Sequence, residues 1–397
     1  MTELTLLSET TNCADPQAVY ARLREKWGVV APVEVEPGVP AWLVLGYYEI
    51  REVLRQDKLF SRDPHNWRLW AEGAVPAESG VAAMMFPADN AYYSDGARHR
   101  RLRAPLDDGL ASLNERRTAR MVREMCAELL DGIAARGSAD LVSEYAVLVP
   151  LLAVAGMFGI EPGDGYRIMR DVTAIFAAGM EARSALDSMA EMFTDILRRR
   201  RACPADDLTT ALLNHPNLTR DEEIRFSMVL MINAGYEITI AWIAQTLRLM
   251  LSDARFAGRV RGGRLNVDDA LDEVLWRDPP LANIPARYAT ADCVLDGKPV
   301  RRGDALVLSI AAANADPRVH TDDPWLEVGN RAHLAWGAGP HSCPAQPQGR
   351  MIARIAVDTA LHRLPDLALA VPPEEISLQP SPWTRYPASL PVRFTRS

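Results

Sequence analysis

The sequence predicts one large, mainly α domain with small peripheral β-sheets, spanning residues 1–397. Three observations carry that class. From about Ala97 to Leu271 nearly every segment has helical spacing. One helix in that block, from Asp221 to Leu251, is apolar nearly all round between Phe226 and Ile243, the pattern of a helix buried through a domain centre. Short β-like runs occur only before and after the block.

The elements follow in order. Asp15 to Trp27 places Val19, Leu23 and Trp27 on one side, which predicts a helix. Val33–Val35 and Ala41–Leu45 predict two strands, and the turn-rich stretch Glu36-Pro37-Gly38-Val39-Pro40 makes them a hairpin. Tyr47 to Gln56 returns to helix. Arg117–Arg136, Ser143–Phe158, Gly165–Met180 and Ser184–Arg201 are each amphipathic. Glu161-Pro162-Gly163 and His215-Pro216 punctuate them. The helix from Asp221 would be about 45 Å long. After Pro279-Pro280, the runs Arg287–Ala289, Cys293–Leu295, Lys298–Val300 and Ala305–Ser309 predict short strands. A last helix from Gln348 to His362 precedes a β-like tail, Leu390 to Phe394.

Composition bounds the function. Hydrophobic residues make up 48% and charged residues 24%, enough to fill a large core without disulfides. Lys and Arg number 44 against 52 Asp and Glu, a net charge of −8, which argues against a nucleic-acid polymer as partner. The first residues lack a basic, then apolar, leader pattern. No run of about 18 uncharged apolar residues occurs, so no membrane partner is expected. Five scattered cysteines without a CxxC pair predict a reducing, cytoplasmic setting and mostly inert thiols.

One segment carries chemistry. Residues 333–345 read His-Leu-Ala-Trp-Gly-Ala-Gly-Pro-His-Ser-Cys-Pro-Ala. Glycines let backbone approach a flat ligand closely. A helix start just after Cys343 favours its thiolate. With no CxxC or His-x-x-x-His nearby, Cys343 suits one face of a metal rather than a four-ligand cage. On these residues alone, a buried thiol in a tight turn is an equal reading.

The run from Trp336 to Ala345 resembles the haem-binding loop of the cytochrome P450 family, commonly Phe-x-x-Gly-x-x-x-Cys-x-Gly. The resemblance implies the cytochrome P450 fold and haem b, with Cys343 as thiolate ligand of its iron. It sets Trp336 at the aromatic position and Ala345 where glycine is usual. Asp95 to Arg103 is similar to the family helix whose His and Arg bind haem propionates, here His99 and Arg103. Positions four apart share a helix face, and carboxylates need charged donors. By itself the same stretch reads as a solvated basic face. Arg287 matches the family's strand arginine, and His341 a further propionate donor. Asn314-Ala-Asp-Pro317 resembles the Asn-Arg-Asp-Pro turn, and both chain ends match too, so the resemblance covers nearly the whole chain. It implies a small-molecule substrate and electrons from a separate ferredoxin and ferredoxin reductase. The cluster Arg98, Arg100 and Arg101 would suit an acidic ferredoxin.

Two departures narrow the expectation. The family's Ala-Gly-x-(Asp/Glu)-Thr-Thr reads Ala234-Gly235-Tyr236-Glu237-Ile238-Thr239 here. Ile238 replaces the first threonine, which assists proton delivery in oxygen activation. Glu237 and Thr239 remain as catalytic candidates, with Thr239 about 100° further round the helix. Either Thr239 or water compensates and hydroxylation continues, or the substrate supplies the proton and radical coupling competes. The second departure is Trp276, where the Glu-x-x-Arg motif beginning at Glu273 should have its arginine. Arg277 and Arg331 are the candidate substitute partners of Glu273. Glu-x-x-Trp resembles an actinobacterial branch whose members include enzymes acting on tryptophan-containing cyclic dipeptides, joining two copies or one to a nucleobase. The stretch Phe60 to Trp67 is similar to that branch as well. The resemblance also implies substrate contacts at Met85, Phe86, Met231, Ala234, Asn283, Ile284 and Trp383, each with plain core packing as the competing reading. A degenerate, non-catalytic haem or partner-binding module is the reading from another class. Joint retention of Cys343, His99, Arg103, Arg287 and His341 favours an enzyme.

Overall fold

The structure, a computed structural model, describes residues 4–76, 79–176, 182–253, 267–319 and 329–396. Two compact units interleave in the sequence. The first comprises residues 1–87, 241–343 and 368–391; the second comprises 88–240, 344–367 and 392–397.

The first unit is built on a six-stranded sheet in the order Thr5–Leu6, Val30–Glu36, Val39–Val44, Ala305–Ser309, Asn283–Ala289, Phe60–Ser61. Val30–Glu36 and Val39–Val44 pair antiparallel as the expected hairpin. Gly38 makes the turn at φ +82°, a conformation glycine adopts without steric cost. Val39–Val44 then runs parallel to Ala305–Ser309, which pairs antiparallel with Asn283–Ala289. All seven residues of Asn283–Ala289 are buried. Val33, Leu43, Trp67, Tyr288, Val307 and Trp383 belong to one core cluster beside the sheet.

Asn283–Ala289 starts four residues before the expected Arg287. The register shifts between Ile284 and Arg287, which face Leu308 and Leu306. Pro285 sits in this bulge, where its missing N–H costs no ladder bond. A bulge resets side-chain alternation, here just ahead of Arg287.

The second unit is helical. It contains Gly96–Ser112, Glu115–Ala134, Leu148–Met157, Pro162–Phe176, Ala182–Ala202, Leu208–Asn214, the first part of Asp221–Ser252, and Gln346–Arg363. The helix expected from Ser143 to Phe158 is broken into a wide turn, Val142–Ala146, and the helix Leu148–Met157. Pro150 falls in the first turn of the latter, where no N–H partner is required. The end of the expected Gly165–Met180 helix, after Phe176, lies outside the described residues. Gly235 lets the long helix lie close on Leu148–Met157: a Cβ there would meet Val154 at 3.2 Å.

By length and composition alone, Asp221–Ser252 could cross a membrane. Glu237 near its midpoint would be costly in hydrocarbon. In the first unit its later part is bonded inside protein, through Trp242 Nε1 to the Leu271 carbonyl (3.1 Å) and Gln245 Nε2 to the Arg385 carbonyl (2.8 Å). These are the marks of a core helix.

Glu223 anchors the start of the long helix. Its carboxylate accepts from Arg101 Nη2 at 2.7 Å, from Arg220 Nη2 at 3.2 Å and from the Thr219 N–H at 3.1 Å. The Arg101 bond, working against burial, holds its carboxyl down at about 2 rather than the ordinary 4.5. A depressed carboxyl stabilises the fold above its ordinary value and loses that effect as pH falls through the depressed one. Glu223→Gln should therefore cost about 2 kcal/mol at neutral pH. Melting curves of both proteins should converge as pH falls from 4.5 to about 2. A gap unchanged across that window would refute the ion pair's contribution.

Candidate functional site

The loop ahead of Cys343 is held by several contacts, all in the first unit. The Cys343 N–H donates to the Trp336 carbonyl at 2.9 Å, and the Gly337 N–H to the Leu334 carbonyl at 2.8 Å. The Trp336 ring meets Trp242 edge-on, centroids 5.3 Å apart. Gly339 has φ +71°, and a Cβ there would lie 2.3 Å from the Leu54 carbonyl oxygen. Only glycine fits, because the loop rests on the end of the Tyr47–Arg55 helix. Cys343 itself is half-buried and forms no disulfide. Gln346–Arg363 begins three residues later.

Two other cysteines are poor thiolates. Burial pushes the Cys126 thiol up to about 11. Burial first, then nearby carboxylates, raises Cys293 as well.

Arg287 is 1% exposed, and its Nη1 has no hydrogen-bond partner among the described residues. A buried guanidinium N–H left without a partner is costly, so this position suits an anionic ligand group. This buried donor, the close glycine loop and the soft thiol fit a flat, metal-bearing ligand with carboxylates. His341 lies half-buried in the same loop.

In the second unit, His99 and Arg103 share one face of Gly96–Ser112. His99 is 4% exposed. Arg103 Nε donates to Asp107 Oδ1 at 2.7 Å, which fixes its stem. The expected docking cluster needs correction. Arg101 is engaged by Glu223 and the Asn217 carbonyl, and Arg98 is paired with Asp89. Only Arg100 of the three is without such a bond among the described residues.

The long helix changes character along its length. Ala234 is exposed, and Met231, Tyr236, Glu237 and Ile238 are half-buried, although the stretch is largely apolar. Thr239 is buried, as are the residues that follow it to Leu247. Ile238 thus contributes accessible surface and Thr239 almost none, so the structure does not favour Thr239 as a substitute for the missing hydroxyl. Tyr236 was missed by the sequence reading. Burial first, then the Glu237 charge, raises its phenol above the ordinary value, so it keeps its proton. Its signal was only the variable place in Ala-Gly-x-Glu.

The expected substrate contacts divide. Met231, Ala234 and the half-buried Phe86 have accessible surface, and the Phe86 ring tilts against Trp70 at 4.5 Å. Met85 and Asn283 are fully buried and need correction. Met85 packs in the core, its carbonyl accepting from Tyr288 Oη at 3.0 Å. Asn283 Nδ2 donates to Thr10 Oγ1 and the Pro382 carbonyl, both at 2.9 Å, tying the sheet to two loops. Ile284 and Trp383 are core members too. Arg277 Nε lies 3.7 Å from Glu273 Oε1, one turn away on the same helix, as expected of a substitute partner. Arg331 instead donates to Asp272 at 3.2 Å.

No protein-family model matches the chain. Over 398 residues it is 30% identical to the cytochrome P450 monooxygenase PikC of Streptomyces venezuelae, covering 96% of this chain and 92% of that protein. The chain belongs to the cytochrome P450 family. It is also 31% identical to nocardicin C N-oxygenase of Nocardia uniformis subsp. tsuyamanensis, over 94% of each chain. Among solved structures, CYP154C4 of a Streptomyces strain superposes with a TM-score of 0.89 at 27% identity, covering 99% of this chain and 98% of that one. The P450 enzyme CxnD, described as acting in C–S bond formation in chuangxinmycin biosynthesis, gives a TM-score of 0.87 at 25% identity, covering 100% and 99%. The mainly helical architecture is the P450 fold. As a P450 the protein is an oxidoreductase with a haem iron cofactor, similar to bacterial monooxygenases of specialised metabolism.

Proposed function

We propose that this P450 oxidatively couples an aromatic substrate, such as a tryptophan-containing cyclic dipeptide, to a second copy or to a nucleobase. The observation that carries this reading is Ile238, a donor-free side chain with accessible surface where the family has threonine. The Glu-x-x-Trp pattern at Glu273 and Trp276 adds the branch resemblance.

In this reading Cys343 is the iron's thiolate ligand and Trp336 packs beside its sulfur. His99, Arg103, Arg287 and His341 hold the propionates by charge-assisted hydrogen bonds. Bound haem supplies the oxidising power of dioxygen and two external electrons. Ile238 withholds a hydroxyl and excludes water, so solvent protons reach the site poorly. Glu237 and the protonated Tyr236 phenol stand beside Ile238 on the same stretch, but the substrate brings its own N–H. Coupling balances as two X–H groups, one dioxygen, two electrons and two protons giving one X–X bond and two waters. The product then carries no oxygen from dioxygen. Met231, Ala234 and Phe86 would line the substrate's surroundings. Residues 1–397 would act as one catalytic domain, in the cytoplasm, with electrons from a separate ferredoxin and its reductase.

Ordinary hydroxylation is the second reading. It is favoured by relatives named for it, among them 2-hydroxy-5-methyl-1-naphthoate 7-hydroxylase. Product analysis with labelled dioxygen separates the two.

The propionate assignment has its own test. A charge-assisted hydrogen bond is worth about 1.5–3 kcal/mol, so Arg287→Ala should speed haem loss about tenfold or more. Arg100→Ala, on an exposed face, should leave it unchanged. Haem transfer to apomyoglobin measures both, and equal rates would remove Arg287 from the site.

A further inference from the structure

The loss of the family arginine at Trp276 leaves open what holds the chain leading to Cys343. The helix Val267–Arg277 answers with two side-chain pairs, each four residues apart. Such spacing puts both members of a pair on one face. On one face, Glu273 and Arg277 close on each other at 3.7 Å. On the adjacent face, Asp272 and Trp276 reach outward. They grip two consecutive residues of the incoming chain. Trp276 Nε1 donates to the Asn330 carbonyl at 2.8 Å, and Arg331 Nε donates to Asp272 Oδ2 at 3.2 Å.

The grip continues toward Cys343. The His333 ring lies edge-on to Trp276, centroids 5.6 Å apart. Asn314 bridges the helix and the loop, its Nδ2 donating to the Leu275 carbonyl at 2.8 Å and its Oδ1 accepting from the Leu334 N–H at 2.9 Å. Tyr47 Oη donates to the Ala332 carbonyl at 2.7 Å. Two residues past Leu334 comes Trp336, whose carbonyl accepts the Cys343 N–H. Every residue from Asn330 to Leu334 therefore meets a fixed partner.

We propose that Trp276 is a positioning residue for Cys343: where the family motif has arginine, its indole N–H holds the chain leading to the loop, while the positive charge stands one place along, at Arg277, close to Glu273. The division of labour is visible in the burial. Trp276 is 6% exposed, so its N–H bond is shielded from water, whereas the Arg331 side chain is 64% exposed and its tether is screened. The indole is the stronger of the two grips.

The inference rests on Cys343 being the haem ligand, and the test separates the two. Wild-type protein lacking the red-shifted carbon-monoxide band in its reduced form would overturn the ligand reading itself. With that band present, Trp276→Phe keeps a ring and loses the N–H. It should shift part of the band to the blue-shifted form and release haem roughly five times faster, the effect of about one buried hydrogen bond. Trp276→Arg, which returns a donor, should recover the red-shifted band relative to Phe. A side chain that merely fills space gives the opposite order, with Phe tolerated and Arg worse, and that order overturns the proposal. So does a Phe variant indistinguishable from wild type. Should Trp276→Phe fail to fold, benzothienylalanine installed at position 276 decides instead. It keeps the shape of tryptophan without the N–H, so a wild-type band and wild-type haem loss in that protein would overturn the proposal, and a blue shift would support it.

Discussion

Replacing Cys343 by serine should abolish the red-shifted carbon-monoxide band of the reduced protein. The thiolate pushes electron density onto iron in a way a serine hydroxyl cannot. The loop itself should survive. Its link at this position is the backbone N–H of residue 343 to the Trp336 carbonyl, and Gly339 still fits against Leu54. Loss of the band without loss of fold is therefore the expected signature, read by the reduced-carbon-monoxide spectrum beside far-ultraviolet circular dichroism. Cys13, Cys203 and Cys293 changed to serine, and Cys126 changed to alanine, should keep the band. Alanine is chosen for Cys126 because that site is fully buried and a serine hydroxyl would need a partner there. A Cys343→Ser protein with the band intact would end the assignment, and with it the propionate and Trp276 arguments.

Local signals carried much of this picture. The start of the long helix at Asp221 and the strands Cys293–Leu295, Lys298–Val300 and Ala305–Ser309 were legible, since periodicity and turn residues are local. The Cys343 loop was legible for the same reason. The early start of Asn283–Ala289 was hidden by Pro285, which argues against a strand unless a bulge is foreseen. Long-range polar links left no trace. Arg101 and Glu223 are 122 residues apart, and Trp276 and Asn330 are 54 apart. Arg101 in sequence looks like a free surface charge, and Trp276 like a gap in a motif.

The substrate contacts show a different limit. Topology brings a segment near a site but does not say which face a side chain occupies, and one residue of register reverses it. Asn283 and Met85 were reasonable by position, yet both are fully buried, Asn283 bonded to Thr10 and Pro382. On the long helix the successive residues Ile238 and Thr239 differ in the same way, one half-buried and one buried. That difference gives the last prediction its direction.

Ile238→Thr should turn product away from coupling. The new hydroxyl stands on the accessible stretch with Ala234 and Glu237, and it can pass protons between water and the site. The substrate's own N–H then stops being the required donor. Oxygen transfer and unproductive peroxide release should both rise relative to coupled product, by up to about 10²-fold, the worth of one positioned proton donor. Thr239→Val should do little, since Thr239 is buried. Fold and haem content should be unchanged in both, because Ile238 is only half-buried and the exchange costs little packing. The decisive measurement is mass analysis of products formed from labelled dioxygen and a tryptophan-containing cyclic dipeptide, with a nucleobase present or absent. Wild type should give coupled product free of label, and Ile238→Thr a growing labelled fraction. Label in the main wild-type product would overturn coupling and leave a hydroxylase whose oxygen-activation helix works without its threonine.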